Sequence, residues 1–256
     1  MKFCVVASGS KGNMTYIETK EAKILIDAGI TLSEAKLRLP EIDFSQITDI
    51  FITHEHHDHT RYLRTVAKKT RANIYLHKKA FIRLPLEVRA ELKNYNTFFI
   101  EENGHYQFKD FEVLTLGLSH DAASNLGYIF TSNDSSLAYV TDTGFFPQQY
   151  IETISNIDAL IIEANHSVET LIGSNRHWVL KQRILSERGH LSNQDCYELL
   201  DVVSPSIHKC IILAHVSEDC NSDEAIYMEV ISKLTPNFKG EILIARQKEA
   251  IKIFEI

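Results

Sequence analysis

The sequence predicts an α/β fold in which two β-sheets pack face to face and helices cover their outer faces. Short apolar runs with strand character fill both halves of the chain, and each half ends in helical segments. Of the 256 residues, 44% are hydrophobic and 24% are charged, which allows a globular domain with a sizeable core. No linker, repeat or low-complexity run divides the sequence, so we expect one domain over residues 1–256.

The first half begins with strands. The runs FCVVAS, MTYIET and AKILIDAG are punctuated by glycines and predict an antiparallel meander. A short helix over Leu32–Leu39 ends before Pro40, because the residue before a proline disfavours helical geometry. The apolar run ITDIFITH predicts a strand that ends in polar histidines, and a helix over Leu63–Lys69 precedes the strand NIYLH.

The second half alternates strands with longer helices. TFFIEE, HYQFKD, FEVLTLGLS, LGYIFTS and SLAYVTDTG are predicted strands, and the pair Asn133-Asp134 marks a hairpin turn. IDALIIEA and KCIILAH are buried strand candidates, and EILIA and AIKIFEI are the last predicted strands. Helices are predicted over Trp178–Ser186, Gln194–Val203 and Asp223–Lys233.

The strongest chemical signal is the pattern HxHxDH within the residues THEHHDHT at positions 53–60. Imidazoles at alternate positions point to the same side of a loop, whereas Asp58 and His59 turn toward a second point. One short loop therefore supplies ligands to two adjacent metal ions. Neutral imidazole and carboxylate suit zinc and other first-row divalent metals. A solvated histidine-rich loop is the plainer alternative.

Further polar residues end otherwise apolar strands. Asp27 ends AKILID, His120 ends FEVLTLGLSH, Asp142 ends SLAYVTD and His215 ends KCIILAH. A polar residue in this position is expected where a site is built at one edge of a sheet. Each one alone has a plainer explanation, such as a capped turn or a buried histidine with a hydrogen-bond partner.

In this order, these residues resemble the five motifs of the metallo-β-lactamase superfamily, and the resemblance spans nearly the whole chain. It implies an αββα four-layer sandwich with two divalent metal ions. The resemblance assigns one metal to His54, His56 and His120, and the other metal to Asp58, His59 and His215, with Asp142 bridging the two. Asp27 would fix the HxHxDH loop from behind the ligands. The implied chemistry is hydrolysis by a water that both metals activate.

The ligand set excludes some branches of this superfamily. Its diiron oxygen or nitric-oxide reductases typically have Glu at the second motif position, where this chain has His56. Its zinc β-lactamases usually lack the histidine that follows the aspartate and replace the bridging aspartate, whereas this chain has His59 and Asp142. The glyoxalase II and phosphodiesterase branches share the full set, so both stay open on the ligands alone.

Four later motifs favour the phosphodiesterase branch. They are SGSKGN at residues 8–13, SHDA at 119–122, EANH at 163–166 and GHLSN at 189–193. The last two resemble motifs of tRNase Z-like phosphodiesterases. All four together resemble the YycJ/WalJ family of bacterial metallohydrolases, which are described as 5′-to-3′ DNA exonucleases. This resemblance implies zinc or manganese as the metal, with iron also compatible with the ligands.

Asp58, Glu163 and His190 are the predicted catalytic groups. His190 precedes a predicted helix, where free backbone amides and the helix dipole favour a phosphate oxygen. If Glu163 orients His190, the imidazole can donate a proton to the phosphoryl oxygen or to the leaving group. A capping histidine is the plainer alternative. The predicted substrate contacts are Ser8, Ser10, Asn13, Asn165, His166 and Ser192, and for His166 a packing role is equally open.

Charge is concentrated locally. The net charge of −7 argues against a globally basic nucleic-acid-binding protein, but residues 61–83 contain eight basic residues and no acid. These are Arg61, Arg64, Lys68, Lys69, Arg71, Lys78, Lys79 and Arg83. Because this basic segment follows the metal loop, we expect it near the active-site face, bound to a nucleic-acid backbone; a solvated helix face is the alternative. A second basic cluster consists of Arg176, His177, Lys181, Arg183 and Arg188.

The composition also suggests a compartment. The four cysteines lack paired spacing, and the N-terminal apolar run is too short for a signal peptide, so we expect reduced thiols and a cytoplasmic protein. No apolar run approaches the length of a membrane span, so no membrane partner is expected.

The leading interpretation is a dinuclear-metal phosphodiesterase that cleaves DNA as an exonuclease. Two alternatives of the enzyme class are an RNA-processing nuclease and a thioester or lactone hydrolase of the glyoxalase II type. The latter usually carries a separate C-terminal helical domain, and the sequence indicates none. A non-catalytic nucleic-acid-binding protein is a third alternative, although every metal ligand is present. The sequence leaves the native metal, the cleavage polarity and the oligomeric state open.

Overall fold

The computed structural model describes residues 1–234 and 237–256, which form two seven-stranded sheets. The strands are, in chain order, β1 Lys2–Ala7, β2 Met14–Glu18, β3 Lys23–Ile26, β4 Asp49–Phe51, β5 Asn73–Leu76, β6 Thr97–Phe99, β7 His105–Gln107, β8 Glu112–Leu118, β9 Asn125–Ser132, β10 Ser135–Val140, β11 Ala159–Glu163, β12 Cys210–Ala214, β13 Glu241–Ile244 and β14 Phe254–Glu255. The first sheet has the order β14-β1-β2-β3-β4-β5-β6, and the second has the order β13-β12-β11-β10-β9-β8-β7.

Helices connect many of these strands. They are α1 Leu32–Arg38, α2 His57–Thr60, α3 Leu63–Thr70, α4 Lys78–Arg83, α5 Leu86–Leu92, α6 Val168–Gly173, α7 Trp178–Ile184, α8 Asn193–Val203, α9 Asp223–Ile226 and α10 Ser232–Leu234. A π-helical turn, Tyr227–Ile231, joins the last two. Short 3-10 turns lie at Phe44–Gln46, Gln148–Tyr150 and Ser204–Ser206. None of the described helices is long and apolar enough to cross a membrane.

The strand sequences alternate between two buried faces, which produces the four layers. In β12, Cys210 and Ile212 join the core between the sheets, whereas Ile211 and Leu213 pack with the outer helices. Side chains of successive strand residues point to opposite faces, so a strand that is apolar on both sides is covered on both sides. The αββα sandwich predicted from the sequence is therefore confirmed.

Aromatic side chains fill the centre between the sheets. Phe51 of the first sheet stacks on Tyr75 at a ring distance of 4.6 Å. Its edge contacts reach Tyr128 at 5.6 Å and Phe130 at 5.2 Å on the second sheet. Burying such rings accounts for much of the apolar area removed from water on folding, so this cluster holds the two sheets together.

Strand direction decides where the chain changes from apolar to polar. Strands β3 to β6 pair in parallel, and so do β10 to β13. The carboxyl ends of parallel strands lie at the same edge of a sheet. The two sheets therefore present their strand ends, with the residues that follow them, along one side of the sandwich.

Several predicted elements differ from the observed ones. The antiparallel meander is confirmed for β1 to β3, and Asn133 adopts a left-handed φ of 52° in the β9–β10 turn. Helices α4, α5 and α6 were not predicted, because each spans only six or seven residues and gives little periodicity. The helix predicted over Asp223–Lys233 contains a π-helical turn, and only Phe254–Glu255 of AIKIFEI pairs as a strand.

A close approach of three backbone segments locks the edge of the first sheet. The amide of Gly29 donates to the carbonyl of Asn13 at 2.8 Å, and the amide of Asn13 donates to the carbonyl of Asp58 at 2.8 Å. A Cβ added at Gly29 would lie 1.8 Å from the Asp58 carbonyl oxygen and 2.3 Å from the Asn13 nitrogen. Only glycine permits this contact between the N-terminal loop and the HxHxDH loop.

We therefore expect Gly29→Ala to destabilise the protein by about 1–3 kcal/mol or more, since backbone atoms must move to admit the methyl group. Gly173→Ala is the matched control, because a Cβ at that position meets nothing within 4 Å. Urea denaturation followed by circular dichroism measures both variants. Equal denaturation midpoints for the two variants would contradict the close approach.

Candidate active site

The residues that end strands converge at one edge of the sandwich. These residues lie close to one another because the two sheets pack face to face and their strands end on the same side of the sandwich. Asp27 follows β3, His54 follows β4, His120 follows β8, Asp142 follows β10, Glu163 ends β11 and His215 follows β12. The prediction that these polar residues lie at the ends of strands is confirmed.

The first group of candidate ligands consists of His54, His56 and His120. One ring nitrogen from each lies within 4.8 Å of the other two. The Nδ1 atom of His56 is 3.3 Å from the Nε2 atom of His120, and His54 Nε2 is buried. Three imidazoles in this arrangement match a typical three-histidine metal site.

The second group consists of Asp58, His59 and His215. The Oδ2 atom of Asp58 is 3.4 Å from His59 Nε2 and 3.6 Å from His215 Nε2. Asp142 lies between the groups, because it also forms a possible ligand set with His54 and His59. Its carboxylate oxygens are 3.3 Å from His59 Nε2 and 3.4 Å from His215 Nε2, a position suited to bridging two ions.

Unpartnered polar atoms indicate what this edge accommodates. His54 Nε2, Asp142 Oδ2 and His215 Nε2 are buried and have no hydrogen-bond partner among the described residues. Buried polar atoms are normally hydrogen-bonded, because an unpaired one retains its full desolvation penalty. All three atoms face the predicted metal positions, so the residues present fit two divalent ions.

The other ring nitrogens are held by neighbouring groups. His54 Nδ1 is 3.0 Å from the Thr53 hydroxyl, and His59 Nδ1 is 2.7 Å from Asp27. His120 Nδ1 is 3.0 Å from the carbonyl of Gly189. Such contacts fix the tautomer and the ring orientation of a metal-binding histidine.

Asp27 and Thr53 together support the HxHxDH loop. The buried Asp27 carboxylate accepts the amide of Thr53 at 2.9 Å and the Thr53 hydroxyl at 3.0 Å. The same hydroxyl lies within 3.2 Å of both His54 and His59. These contacts support the role predicted for Asp27, which stays a prediction. Thr53 was not among the predicted site residues, and its only signal in the sequence is its place directly before the motif.

Three site residues have left-handed backbone geometry. The φ angle is 63° at Asp27, 58° at Asp142 and 51° at His215. Non-glycine residues adopt this region at a cost of about 1–3 kcal/mol each, and they persist there only where the surrounding structure enforces it. Each angle turns the chain sharply at a strand end, which aims the side chain back over the edge of the sheet.

Burial and neighbouring charges set the protonation of the site. Burial, together with the adjacent histidines, lowers the pKa of His54 well below its usual value, and burial also lowers the pKa of His120. Burial acts the same way on His59, but the nearby carboxylates, Asp142 first among them, outweigh it and raise the pKa of His59. The site thus combines neutral imidazole donors with carboxylate charge that favours a bound cation.

Glu163 is fully buried and orients two histidines. Its Oε1 atom is 2.8 Å from His190 Nδ1 and 2.9 Å from His215 Nδ1, and its Oε2 atom accepts the amides of Thr143 and Leu191. Burial would raise the pKa of Glu163, but the two histidines outweigh this effect and lower it. Four donors on one carboxylate make Glu163 an orienting group.

His190 stands at the open side of the site. Its side chain is 21% exposed, and its ring centre is 5.0 Å from that of His120. It lines a recess of about 120 Å³ together with Arg176, Arg183 and Ser10. The two arginines are ion-paired there, Arg176 with Asp219 and Arg183 with Asp121.

Several predicted substrate contacts occupy supporting positions. The Ser8 hydroxyl accepts the amide of His215 at 2.7 Å, and the Asn165 amide donates to the carbonyl of His215 at 2.8 Å. The Asn13 amide nitrogen lies 3.0 Å from His59 Nε2 and 3.3 Å from Asp58 Oδ2. Direct contacts of these three residues with substrate stay predictions.

Of the remaining three candidates, Ser10 lines the recess beside His190, and the other two differ from each other. Ser192 caps α8, since its hydroxyl bonds Asp195 in a capping box, as expected for a helix that begins in GHLSN. His166 is buried, and neither of its ring nitrogens has a hydrogen-bond partner among the described residues. Burial lowers the pKa of His166 to about 4. A substrate contact of either residue stays a prediction.

The prediction that the whole basic segment 61–83 lies near the site is wrong. Helix α3 starts beside the metal loop and runs back to the beginning of β5, so Lys68 and Lys69 lie at the opposite edge of the sheet. Lys69 there lines a surface recess with Asp43 and Phe44, which precede β4. Lys78 and Lys79 follow β5 and return to the edge that carries the site.

The second basic cluster also divides by role. Lys181 is buried, and its ammonium group donates to the carbonyls of Ile172 and Ser174 at 2.5 and 2.6 Å, so it fastens α6 to α7. The Arg188 guanidinium donates to the carbonyl of His120 at 3.1 Å. Arg176 and Arg183 alone line the recess beside His190.

Comparison with known proteins gives consistent results. A family model described as a beta-lactamase superfamily domain matches residues 22–215. The chain is 36% identical over 233 residues to exodeoxyribonuclease YycJ of Bacillus anthracis, covering 90% of this chain and 88% of that protein. It is 34% identical over 236 residues to exodeoxyribonuclease WalJ of Streptococcus pneumoniae, covering 91% and 88%. The metallo-β-lactamase fold protein YhfI of Bacillus subtilis superposes with a TM-score of 0.72 at 15% identity over 98% of each chain, which supports the fold.

Divalent metal should stabilise the folded chain. Adding Mn²⁺ or Zn²⁺ to metal-stripped protein is expected to raise Tm. The free energy of unfolding should rise by about 2.7 kcal/mol when the free metal concentration is a hundredfold above Kd. Differential scanning fluorimetry measures the shift. His54→Gln should reduce it, whereas His105→Gln should keep it, because the His105–Glu112 pair lies on exposed surface. An unchanged Tm in the wild type with either metal would contradict the metal centre.

Proposed function

We propose that this chain, which belongs to the β-lactamase superfamily and to its YycJ/WalJ family of exodeoxyribonucleases, hydrolyses phosphodiester bonds of DNA. The observation that carries the proposal is His190, held by Glu163 at 2.8 Å beside a complete two-metal ligand set and a recess with two arginines. A phosphate needs cations, a proton donor and room, and this edge offers each of them.

The metal ligands in this proposal are those brought together at the strand ends. They are His54, His56 and His120 for one ion and Asp58, His59 and His215 for the other, with Asp142 between them. Ions bound there would supply an activated water and neutralise charge that develops on the phosphate. The donor set favours Zn²⁺ or Mn²⁺, and it also accommodates Fe²⁺.

The residues of the chain handle the proton and the geometry. The Glu163 carboxylate accepts a hydrogen bond from His190 Nδ1 and so directs Nε2 toward the recess, where the imidazolium form would give its Nε2 proton to the leaving oxygen and become neutral. Arg176 and Arg183 line the recess beside His190, where they pair with Asp219 and Asp121, and the phosphates of a bound strand would replace these carboxylates as their partners. Contacts to phosphate read no bases, so we expect little sequence preference.

We further assign a 5′-to-3′ direction, as the family resemblance implies, and a cytoplasmic location. The location is supported by the four cysteines, all of which are free and buried, as in proteins of reducing compartments. Binding of DNA through its backbone is supported by the names of the relatives, which are exodeoxyribonucleases.

Asp142→Ala should abolish cleavage of linear DNA, because it removes the carboxylate that faces both candidate metal groups. The assay uses a 5′-labelled linear duplex with Mn²⁺ or Zn²⁺ and resolves products on a sequencing gel. The wild type is expected to shorten the duplex progressively from an end. Retained cleavage in pure Asp142→Ala protein would contradict the mechanism.

A wild-type protein that holds metal but leaves DNA intact would overturn DNA as the substrate. The same preparation would then be tested on RNA and on S-lactoylglutathione, the substrates of the two alternative enzyme classes. A circular duplex serves as the control for end dependence, since an exonuclease requires a free end.

His190→Gln should lower kcat by roughly 10²- to 10⁴-fold, the usual contribution of a general acid. Metal content should stay at the wild-type level: His190 forms a possible ligand group with Asp142, Glu163 and His215, but its Nδ1 atom already bonds the Glu163 carboxylate. His105→Gln is the matched control, because it breaks an exposed His–Glu pair at 2.7 Å. Loss of metal from His190→Gln would show instead that His190 is a ligand.

A further inference from the structure

All but one of the candidate metal histidines have an oxygen atom beside the ring nitrogen that faces away from the metal position. His54, His59, His120 and His215 each place the ring nitrogen that faces away from the metal position within 3.0 Å of an oxygen: the Thr53 hydroxyl, Asp27, the Gly189 carbonyl and Glu163. The exception is His56. Its Nδ1 atom faces the first metal position, and its Nε2 atom points the other way.

The carboxylate of Asp121 lies beside this Nε2 atom. The distance from His56 Nε2 to Asp121 Oδ1 is 3.8 Å, just beyond hydrogen-bond range, and the same Oδ1 atom is 3.4 Å from His120 Nε2. Asp121 Oδ1 is buried and has no hydrogen-bond partner among the described residues. A small rotation of the Asp121 side chain would bring this oxygen within hydrogen-bond range of His56 Nε2.

The second carboxylate oxygen of Asp121 is held from another element. Its Oδ2 atom accepts Nε of Arg183, which extends from α7. Asp121 and Arg183 both line the recess beside His190. This ion pair fixes one side of the carboxylate and leaves Oδ1 beside both His56 and His120, so the recess and the first metal group share one side chain.

We propose that Asp121 is a positioning residue for the metal centre. Its carboxylate accepts a hydrogen bond from His56 Nε2 and thereby holds the His56 ring in its metal-binding orientation. Asp121 would thus supply His56 with the outer hydrogen-bond acceptor that the four other candidate metal histidines already have. Neither a ligand role nor contact with substrate is needed for this effect. The inference rests on the metal-binding part of the proposed function and is independent of the substrate.

An ion pair with Arg183 alone is the competing account of Asp121. The Arg183 side chain is 58% exposed, and exposed pairs contribute about 0–1 kcal/mol to stability. Such a pair predicts no effect on metal affinity. The positioning role predicts a loss of affinity for one ion, because groups that orient a metal ligand typically change affinity about 10- to 100-fold.

The experiment titrates Mn²⁺ into metal-stripped wild type, Asp121→Ala and Asp121→Asn by isothermal titration calorimetry. Asp219→Asn is the matched control, because Asp219 pairs with Arg176 on the same recess at 2.9 Å and contacts no metal histidine. We expect Kd for one of two ions to rise about 10- to 100-fold in Asp121→Ala, with the second Kd within threefold of the wild type. The control should match the wild type for both ions.

Two results would overturn the proposal. One is wild-type affinity for both ions in Asp121→Ala. The other is an equal loss in Arg183→Ala, because Asp121 would then act only by holding that arginine. Asp121→Asn, which conserves shape and one oxygen, keeps the test valid if the alanine variant folds poorly; it should lose less affinity than Asp121→Ala does.

A spectroscopic readout is independent of affinity. In zinc-loaded protein with ¹⁵N-labelled histidine, the Nε2 proton of His56 should exchange with water more slowly in the wild type than in Asp121→Asn. Equal exchange would also overturn the proposal. A wild-type chain that binds no divalent metal overturns the metal centre itself, whereas metal binding without DNA cleavage leaves this inference standing and removes only the proposed substrate.

Discussion

Three carboxylates that are almost completely removed from water constrain the structure at one edge of the sandwich. Asp27 and Glu163 are fully buried, and Asp142 is 2% exposed. An unpaired buried charge costs several kcal/mol, so each must find donors or a cation. Thr53 and His59 satisfy Asp27, and two histidines with two amides satisfy Glu163. Asp142 retains a buried oxygen without a partner, which is the position that a pair of divalent ions would satisfy.

The fold makes this arrangement possible through strand direction. Two sheets with apolar strands on both faces pack rigidly, and their parallel strands end at a common edge. Left-handed turns at Asp27, Asp142 and His215 then aim polar side chains over that edge. Hydrogen bonds to the backbone hold these turns in place. The amide of Asp27 donates to the Phe51 carbonyl, the Asn125 side chain donates to the Asp142 carbonyl, and Ser8 and Asn165 bond the backbone of His215.

The sequence was informative about residues whose place follows from their order along the chain. The position of the candidate ligands in HxHxDH and at the ends of apolar strands could be predicted, because one loop and the strand pattern place them. Thr53 and Asp121 were not predictable, since their roles depend on partners brought in by folding, as when Arg183 reaches Asp121 from 62 positions away. The basic segment was misplaced for a similar reason. Helix α3 reverses direction after the metal loop and carries Lys68 and Lys69 to the far edge.

In our interpretation, strand ends from both sheets build one dinuclear centre around Asp142. Anomalous diffraction from crystals grown with Mn²⁺, recorded on both sides of the manganese absorption edge, would locate the ions. We expect two anomalous peaks, one among His54, His56 and His120 and one among Asp58, His59 and His215, with Asp142 bound to both. A single peak, or peaks away from these side chains, would contradict it.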